Sequence, residues 1–435
     1  MGETKQRAAA GIDKAVSDRR AVSTPEDIVA AASRLRRAHL EILTHVSQDR
    51  IVDALSTLAR RWRSGELDAC ERARAIDGPF GREAVRFTLD ALLESLTPER
   101  LGRLIDDEQV CDRAGYPVVG HVIAGNTPLL AWTSIMRGLL VRSASLVKLP
   151  SPTSGDRSTA PIWAETFVDA LAEVDAELAS TIELVRFWGG DDAMMSAYCT
   201  VADLVVAYGS ERAILHLREL RRGLPFVGYG HRVSIGLVLP GADLKSAADG
   251  FALDTLLYDQ GGCLSPQSIY VVGSATAQTE FAKILSDAFA IRRRSLPSPE
   301  RTESNALRIH QTRALARMDG CQVWEGDDLV WTVIARPGAD FAGSPTLGVI
   351  SVQSLTSTAD LPRALAAVDG LLQGCAVASD GPVPADVVEM LARCGVSYLC
   401  EPGRLQMPPI DWREDDLPVL QSLLPDFSAA FGQPN

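Results

Sequence analysis

The strongest constraint on how this chain can fold begins near residue 118. From there, short and almost wholly apolar runs alternate with amphipathic segments long enough to be crossover helices. The runs Val118–Ile123, Leu146–Lys148, Leu184–Phe187, Leu204–Tyr208, Ile235–Leu239, Ser268–Val272, Val330–Ala335 and Val349–Val352 are mostly too apolar to show in–out alternation. Strands of that kind are covered on both faces, which implies parallel sheet flanked by helices. Segments such as Ala160–Glu173 and Glu211–Arg221 supply the helices that carry the chain back. Near the end, Ala385–Arg393 predicts a helix stopped by Gly395, with a strand at Val396–Leu399. The class is α/β with mostly parallel sheets.

The first 115 or so residues read differently. Thr24-Pro25-Glu26-Asp27 is a helix start, with a capping hydroxyl, proline in the first turn and acids at the positive end of the dipole. Ile28, Leu35, Ile42 and Val46 follow at near-helical spacing, a second helix is predicted from Ile51 to Trp62 before Gly65, and Thr97-Pro98-Glu99 repeats the start signal. This predicts an N-terminal helical layer without chemistry of its own. Arg292–Thr302, rich in Arg, Ser and Pro, is expected to be an exposed loop, with Ser298-Pro299-Glu300 opening the next helix.

Composition excludes several classes of function. The 43 Lys and Arg stand against 56 Asp and Glu, a net charge of -13, which argues against nucleic acid or an anionic membrane as the main partner. The N-terminus carries no apolar signal region. The longest apolar stretch, Pro128 to Val141, is interrupted by Arg137 and too short to span a bilayer. A cytoplasmic protein with no membrane span is expected. Eight scattered cysteines form no CxxC pair and the six histidines do not cluster beside them, so neither a metal site nor a redox dithiol is expected.

Three segments could carry chemistry. In Asp259-Gln260-Gly261-Gly262-Cys263-Leu264-Ser265, an apolar helix (Ala247 to Leu257) leads into two glycines and a cysteine. Glycines allow a sharp turn and a close ligand approach, and a thiolate at Cys263 could be stabilised by backbone N–H groups. The alternative is a small buried residue on a tight turn. In His121–Pro128, Gly125-Asn126 follows a strand directly, placing an amide where α/β proteins keep their sites. Asn126 is either an oxyanion donor or the cap of the next helix. Lys148 ends its strand, where a cation could reach a ribose or phosphate, or could snorkel to solvent. Gly209-Ser210 sits between a strand and a helix start, able to hold a pyrophosphate or simply to cap the helix. Gly228-Tyr229-Gly230 lacks a third glycine and a following helix, so it reads as a turn between domains, with His231 beside it structural.

In this order these segments resemble the aldehyde dehydrogenase superfamily, and within it the LuxC-like acyl-CoA reductases of bacterial bioluminescence fatty-acid reduction. The strings that carry the resemblance are GNTPLLAWTSIMRGLLVRSASLVKLPS, AYGSERA, YGHRVSIGLVLPGADL, DQGGCLSPQSIYV and GRLQMPPIDW, over roughly residues 115 to 415. The resemblance implies an aldehyde-dehydrogenase-like fold: an N-terminal helical segment (1–115) packed on a Rossmann-type dinucleotide-binding domain (116–232, with 400–435 returning to it), and an α/β catalytic domain (233–399) carrying the nucleophile. It implies Cys263 as nucleophile and Asn126, with the Cys263 backbone N–H, as the oxyanion hole. Lys148 would hold the adenosine ribose, and Gly209 and Ser210 the pyrophosphate.

Two departures refine this. Aldehyde-oxidising members carry a glutamate at the domain junction that activates water. Here the stretch is Phe226-Val227-Gly228-Tyr229-Gly230-His231, without an acid. Members preferring NAD place a glutamate three residues after the lysine; here it is Ser151, which permits NADPH beside NADH. Arg142, Arg186 and Arg212 are the cations available for a 2′-phosphate. The implied activity is NADPH-dependent reduction of an acyl thioester, from acyl-CoA or an acyl carrier, to aldehyde through an acyl-cysteine, by a homo-oligomer. An acyl-phosphate reductase, an aldehyde-oxidising dehydrogenase, an acyltransferase and a cofactor-binding pseudoenzyme are the alternatives.

Overall fold

The computed structural model describes residues 22, 24–76, 78–111, 113–151 and 158–425. The sequence readings at residues 1–16 and 426–435 therefore lie outside the described residues. Two sheets organise the chain. The first contains β1 (Val118–Val122), β2 (Ala144–Leu149), β3 (Ile182–Arg186), β4 (Leu204–Tyr208) and β5 (Phe226–Tyr229), all parallel, in the order β3-β2-β1-β4-β5. The second contains β6 (Val233–Val238), β7 (Pro266–Val272), β8 (Gln322–Glu325), β9 (Thr332–Ala335), β10 (Val349–Leu355), β11 (Leu372–Ala378) and β12 (Tyr398–Cys400). Its order is β12-β11-β6-β7-β10-β9-β8, parallel except where β8 meets β9. Every residue of β2, β4, β6 and β11 is buried, as helices on both faces of a parallel sheet require. The α/β class read from the apolar runs is the observed one.

The N-terminal helices close over the first sheet. Thr24 forms a full capping box with Asp27, Thr97 caps the helix Pro98–Asp107, and Gly65 ends the helix Gln48–Ser64 at φ 74°. Ile28 and Leu35 from the first helix and Leu55 from the next are fully buried in one continuous apolar cluster with β1, β2 and β4. The helix Gly81–Ser95 reaches further, to the second sheet's side, where Thr88 Oγ1 hydrogen-bonds the Tyr258 hydroxyl.

Three local readings are corrected by the structure. Gly228 and Tyr229 form the edge strand β5 rather than an inter-domain turn; Gly228 is needed because a Cβ there would come within 2.8 Å of Phe226 and 2.9 Å of Ile214. Arg292–Thr302 is not merely an exposed loop. Its Arg293 and Arg301 side chains are only 6% and 8% exposed and turn inward to a shared carboxylate. The next helix starts at Glu303, capped by Thr302, not at Glu300.

After β12 the chain leaves regular structure and runs as a strap across the molecule. An irregular segment has no ladder to satisfy its N–H groups, and side chains do so instead. Asp254 accepts from Gly403 N (2.7 Å) and Leu405 N (3.0 Å), and Ser95 from Ile410 N (3.1 Å). Glu108 takes three successive amides, Val419, Leu420 and Gln421, at 2.8, 2.7 and 2.8 Å. The strap thus joins the second sheet's helices to the N-terminal layer.

Candidate active site

In the first sheet the chain winds from β1 outward through β2 to β3, then crosses to the other side of β1 for β4. Open parallel sheets place ligands at the carboxyl ends of the strands flanking such a reversal. The loop after β1 carries Asn126 and the turn after β4 carries Gly209-Ser210. Both line one cleft, and Cys263 faces them from the loop that precedes β7.

That loop is held by force. At the end of the helix Leu244–Leu256, three consecutive non-glycine residues, Tyr258, Asp259 and Gln260, take left-handed backbone angles, φ 52°, 54° and 64°. Each costs on the order of 1–3 kcal/mol and persists only where its surroundings over-determine it. Tyr258 is tied to Thr88, and Gln260 Nε2 donates to Pro266 O at 2.8 Å. Asp259 is clamped by Arg293 at 2.8 Å and by Arg301, all three side chains buried. Gly262 follows, where a Cβ would lie 2.5 Å from the end of the Gln406 side chain of the strap.

Cys263 is half-buried, and its carbonyl accepts from Ser234 Oγ at 3.0 Å. Burial pushes the thiol strongly upward, and Glu414 and Asp415 add to it; the backbone N–H groups of Cys263 and Leu264 oppose them and lose. The backbone N–H groups expected to favour the thiolate are thus present, and burial with the two carboxylates outweighs them. Asn126 does not cap the next helix, whose N-cap is Leu129 without a side-chain bond. Its Nδ2 instead donates to Gly261 O at 2.7 Å, tethering the β1 loop to the cysteine loop.

Lys148 and Ser151 lie at the same end of the sheet, on and after β2, but are not among the residues lining the cleft. Lys148 does not snorkel: it is 7% exposed, with Nζ 5.5 Å from the centre of the Phe187 ring, and burial lowers it to about 8. No ion pair to it occurs among the described residues. Ser151 Oγ donates to Phe187 O. Ser210 caps the helix Glu211–Leu220, accepting from Ala213 N at 3.3 Å, and lines the cleft with its neighbour Gly209. His231, read as structural, is exposed and lines the cleft.

The sequence reading missed the other ionisable group here. Glu414, on the strap, lines both the cleft and a more apolar cavity that also opens from Cys263, between Leu92, Leu130, Met407, Pro409 and Trp412. Its carboxylate is buried and meets Arg137 at 3.3 Å; Arg137 in turn donates to Trp412 O at 3.1 Å. Burial pushes Glu414 up to about 7, although Arg137 pulls the other way. Among the described residues no group of His, Cys, Asp and Glu gathers as a metal site, and no helix is long and apolar enough to cross a membrane.

Residues 43–424 match the family model described as acyl-CoA reductase (LuxC). The chain belongs to this family. Among similar proteins, the long-chain acyl-protein thioester reductase of Aliivibrio fischeri is 25% identical over 309 residues, 70% of this chain and 62% of that protein. The Vibrio harveyi protein of the same name is 28% identical over 325 residues, 69% of this chain and 66% of its own. The matched part of the chain spans less than two thirds of these LuxC-family relatives. Solved structures agree on the fold. A NAD-dependent benzaldehyde dehydrogenase from Corynebacterium glutamicum superposes with a TM-score of 0.68 at 17% identity, covering 92% of this chain and 89% of that one. A NAD-dependent aldehyde dehydrogenase from Sinorhizobium meliloti gives 0.65 at 14% identity, covering 87% and 80%. This LuxC-family chain therefore has the aldehyde dehydrogenase fold, as the sequence strings imply.

Proposed function

We propose that the protein reduces an acyl thioester to the aldehyde, with NADPH as reductant, through an acyl-Cys263 intermediate. The observation that carries this is the pairing across the cleft of Cys263, from one sheet's loop, with the Asn126 amide from the other's, beside a largely apolar cavity suited to an alkyl chain. The relatives' names, acyl-protein thioester reductases, support a protein-borne thioester, and the family model's description supports acyl-CoA.

In this mechanism Cys263 attacks the acyl carbon and the donor's thiol departs. An amide nitrogen has two N–H donors. One of Asn126's is committed to Gly261 O, which fixes the side chain and leaves the other for the developing oxyanion. Asn126→Ala is expected to lower kcat about 10²–10³-fold; an unchanged rate would remove Asn126 from the mechanism.

The cofactor's fit rests on this chain's own groups. Among the described residues Lys148 is buried without an ion-pair partner, and the N–H groups at the start of the helix Glu211–Leu220, beside Gly209 and Ser210, suit a pyrophosphate. When bound, the nicotinamide supplies the hydride. Ser151 places no acid against a 2′-phosphate. Arg186 ends β3 opposite Leu149 and its Nε is buried with no hydrogen-bond partner among the described residues, whereas Arg142 precedes β2 at the far end of the sheet. Because burial has already lowered Lys148 to about 8, its charge is lost as pH rises through that value. NADPH affinity is expected to weaken above pH 8, by up to about tenfold per unit, and Lys148→Arg should flatten the dependence. A wild-type Kd constant from pH 7 to 9.5 would place the ribose elsewhere.

The direct test is intact-protein mass after mixing with acyl-CoAs of graded chain length, and with acyl-pantetheine-loaded carrier protein, without NADPH. One acyl adduct that is discharged on adding NADPH supports the reading. No adduct with either donor overturns it, and a turnover confined to acyl phosphates would favour that alternative.

A further inference from the structure

We infer that Glu414 is the proton carrier for Cys263: it takes the thiol proton as the sulfur attacks and hands it to the departing donor thiol. The inference rests on the thioester-reductase reading and deepens it.

The resting cysteine makes a base necessary. A cysteine thiol is mostly protonated near neutrality, burial and two carboxylates push Cys263 further the same way, and only the thiolate is an effective nucleophile. The junction stretch Phe226–His231 offers no carboxylate. Among the described residues lining either cavity that opens from Cys263, Glu414 is the sole acid. It lines both, as Cys263 does, so the two groups face the same space in which acyl group and leaving thiol must meet.

The surroundings tune it for a proton that moves both ways. Arg137, from the helix Leu130–Leu140, and Arg232 draw Glu414 toward the anion; Asp415 beside it and burial push it toward the acid. Tyr208 and Tyr229, stacked with centres 4.8 Å apart at the ends of β4 and β5, sense its charge and stay protonated themselves. Cys263 faces it from the second sheet, and exposed His231 shares the cleft. The outcome, about 7, lies where a general acid–base is most effective near neutral pH. The strap delivers it: Asp254, Ser95 and Glu108 hold the segment on either side.

The proton balance is simple. In acylation, the carboxylate accepts H⁺ from Cys263 Sγ as the S–C bond forms, and returns it to the donor sulfur as that S–C bond breaks; Glu414 ends as it began. When aldehyde is released, Cys263 leaves as a thiolate, and a proton from Glu414, replenished from solvent, restores the thiol.

The test is the pH dependence of single-turnover acylation of Cys263 by decanoyl-CoA, followed by intact mass from pH 5 to 9. Wild type is expected to speed up through an inflection near pH 7, because the carboxylate is the active form. Glu414→Gln should lose the inflection and acylate on the order of 10²–10⁴-fold more slowly at pH 7.5. Glu414→Asp should restore part of the rate with the inflection. Arg137→Gln, which removes the cation that favours the anion, should move the inflection upward, a shift that a purely structural ion pair would not produce. If Glu414→Gln does not fold, the Asp and Arg137 variants decide alone. An E414Q rate within threefold of wild type, an inflection that survives E414Q, or one abolished only by His231→Asn overturns the assignment. If wild type is acylated neither by decanoyl-CoA nor by a decanoyl-loaded carrier protein, the thioester reading itself has failed.

Discussion

Cys263→Ala is expected to abolish aldehyde formation, by on the order of 10⁴-fold or more, while NADPH binding stays within about twofold of wild type. The separation follows from the architecture. The groups assigned to the cofactor, Lys148, Ser151, Gly209 and Ser210, belong to the first sheet, and Cys263 to the loop before β7 in the second. Among the described residues Cys263 is the only cysteine lining either cavity, so no second thiol can take over. NADPH consumption with acyl-CoA, alongside cofactor titration by fluorescence, measures both parts. Residual turnover above a few per cent would mean that the acyl group never rests on Cys263. Lost cofactor binding would mean that the variant damages the cleft rather than the chemistry.

The second large effect lies outside the chemistry. Asp259→Ala is expected to destabilise the protein by about 3–5 kcal/mol, because it strands two buried guanidiniums, Arg293 and Arg301, without their shared counter-ion. It also frees the left-handed run Tyr258–Gln260 that aims Cys263 into the cleft. Chemical denaturation gives the first effect, and the acylation rate of the folded fraction gives the second. Replacing all three groups together, as Asp259→Leu with Arg293→Met and Arg301→Met, should recover part of the stability, since a buried ion cluster costs its own desolvation. It should not recover acylation, because the strained loop would still lack its clamp. A loss below 1 kcal/mol in Asp259→Ala would show the clamp to be ornamental.

Much of the framework was legible in the residues. Leu204–Tyr208 is a strand with the bounds its apolar run predicts, and β1, β2, β7 and β10 lie within a few residues of theirs. The strands that escaped notice are those whose signal is weak. β5 is an edge strand with a glycine in it, β8 is short, and β11 carries Gln373-Gly374 within a fully buried run. Gly374 is forced by packing, since a Cβ would lie 2.8 Å from Leu264 and 2.9 Å from Ser234. No local pattern reports such a contact.

The site divides along the same line. The apolar runs, the glycines before Cys263 and the Gly-Asn after β1 are local features, and local physics suffices to read them: burial on two faces, sharp turns, amides at strand ends. What only the tertiary structure decided is which groups meet and in what protonation state. Nothing local in Trp412-Arg413-Glu414-Asp415-Asp416 marks a site, yet Glu414 is buried against Arg137, 277 residues earlier in the chain, and lines both cavities that Cys263 lines. Arg293 and Arg301 look like part of a polar loop and instead clamp the nucleophile's approach. The upward push on the Cys263 thiol likewise comes from burial, with Glu414 and Asp415 brought from elsewhere adding to it. Charge interactions grow strong only where folding removes water between groups distant in sequence, so the strands and loops were written locally and the proton chemistry was not.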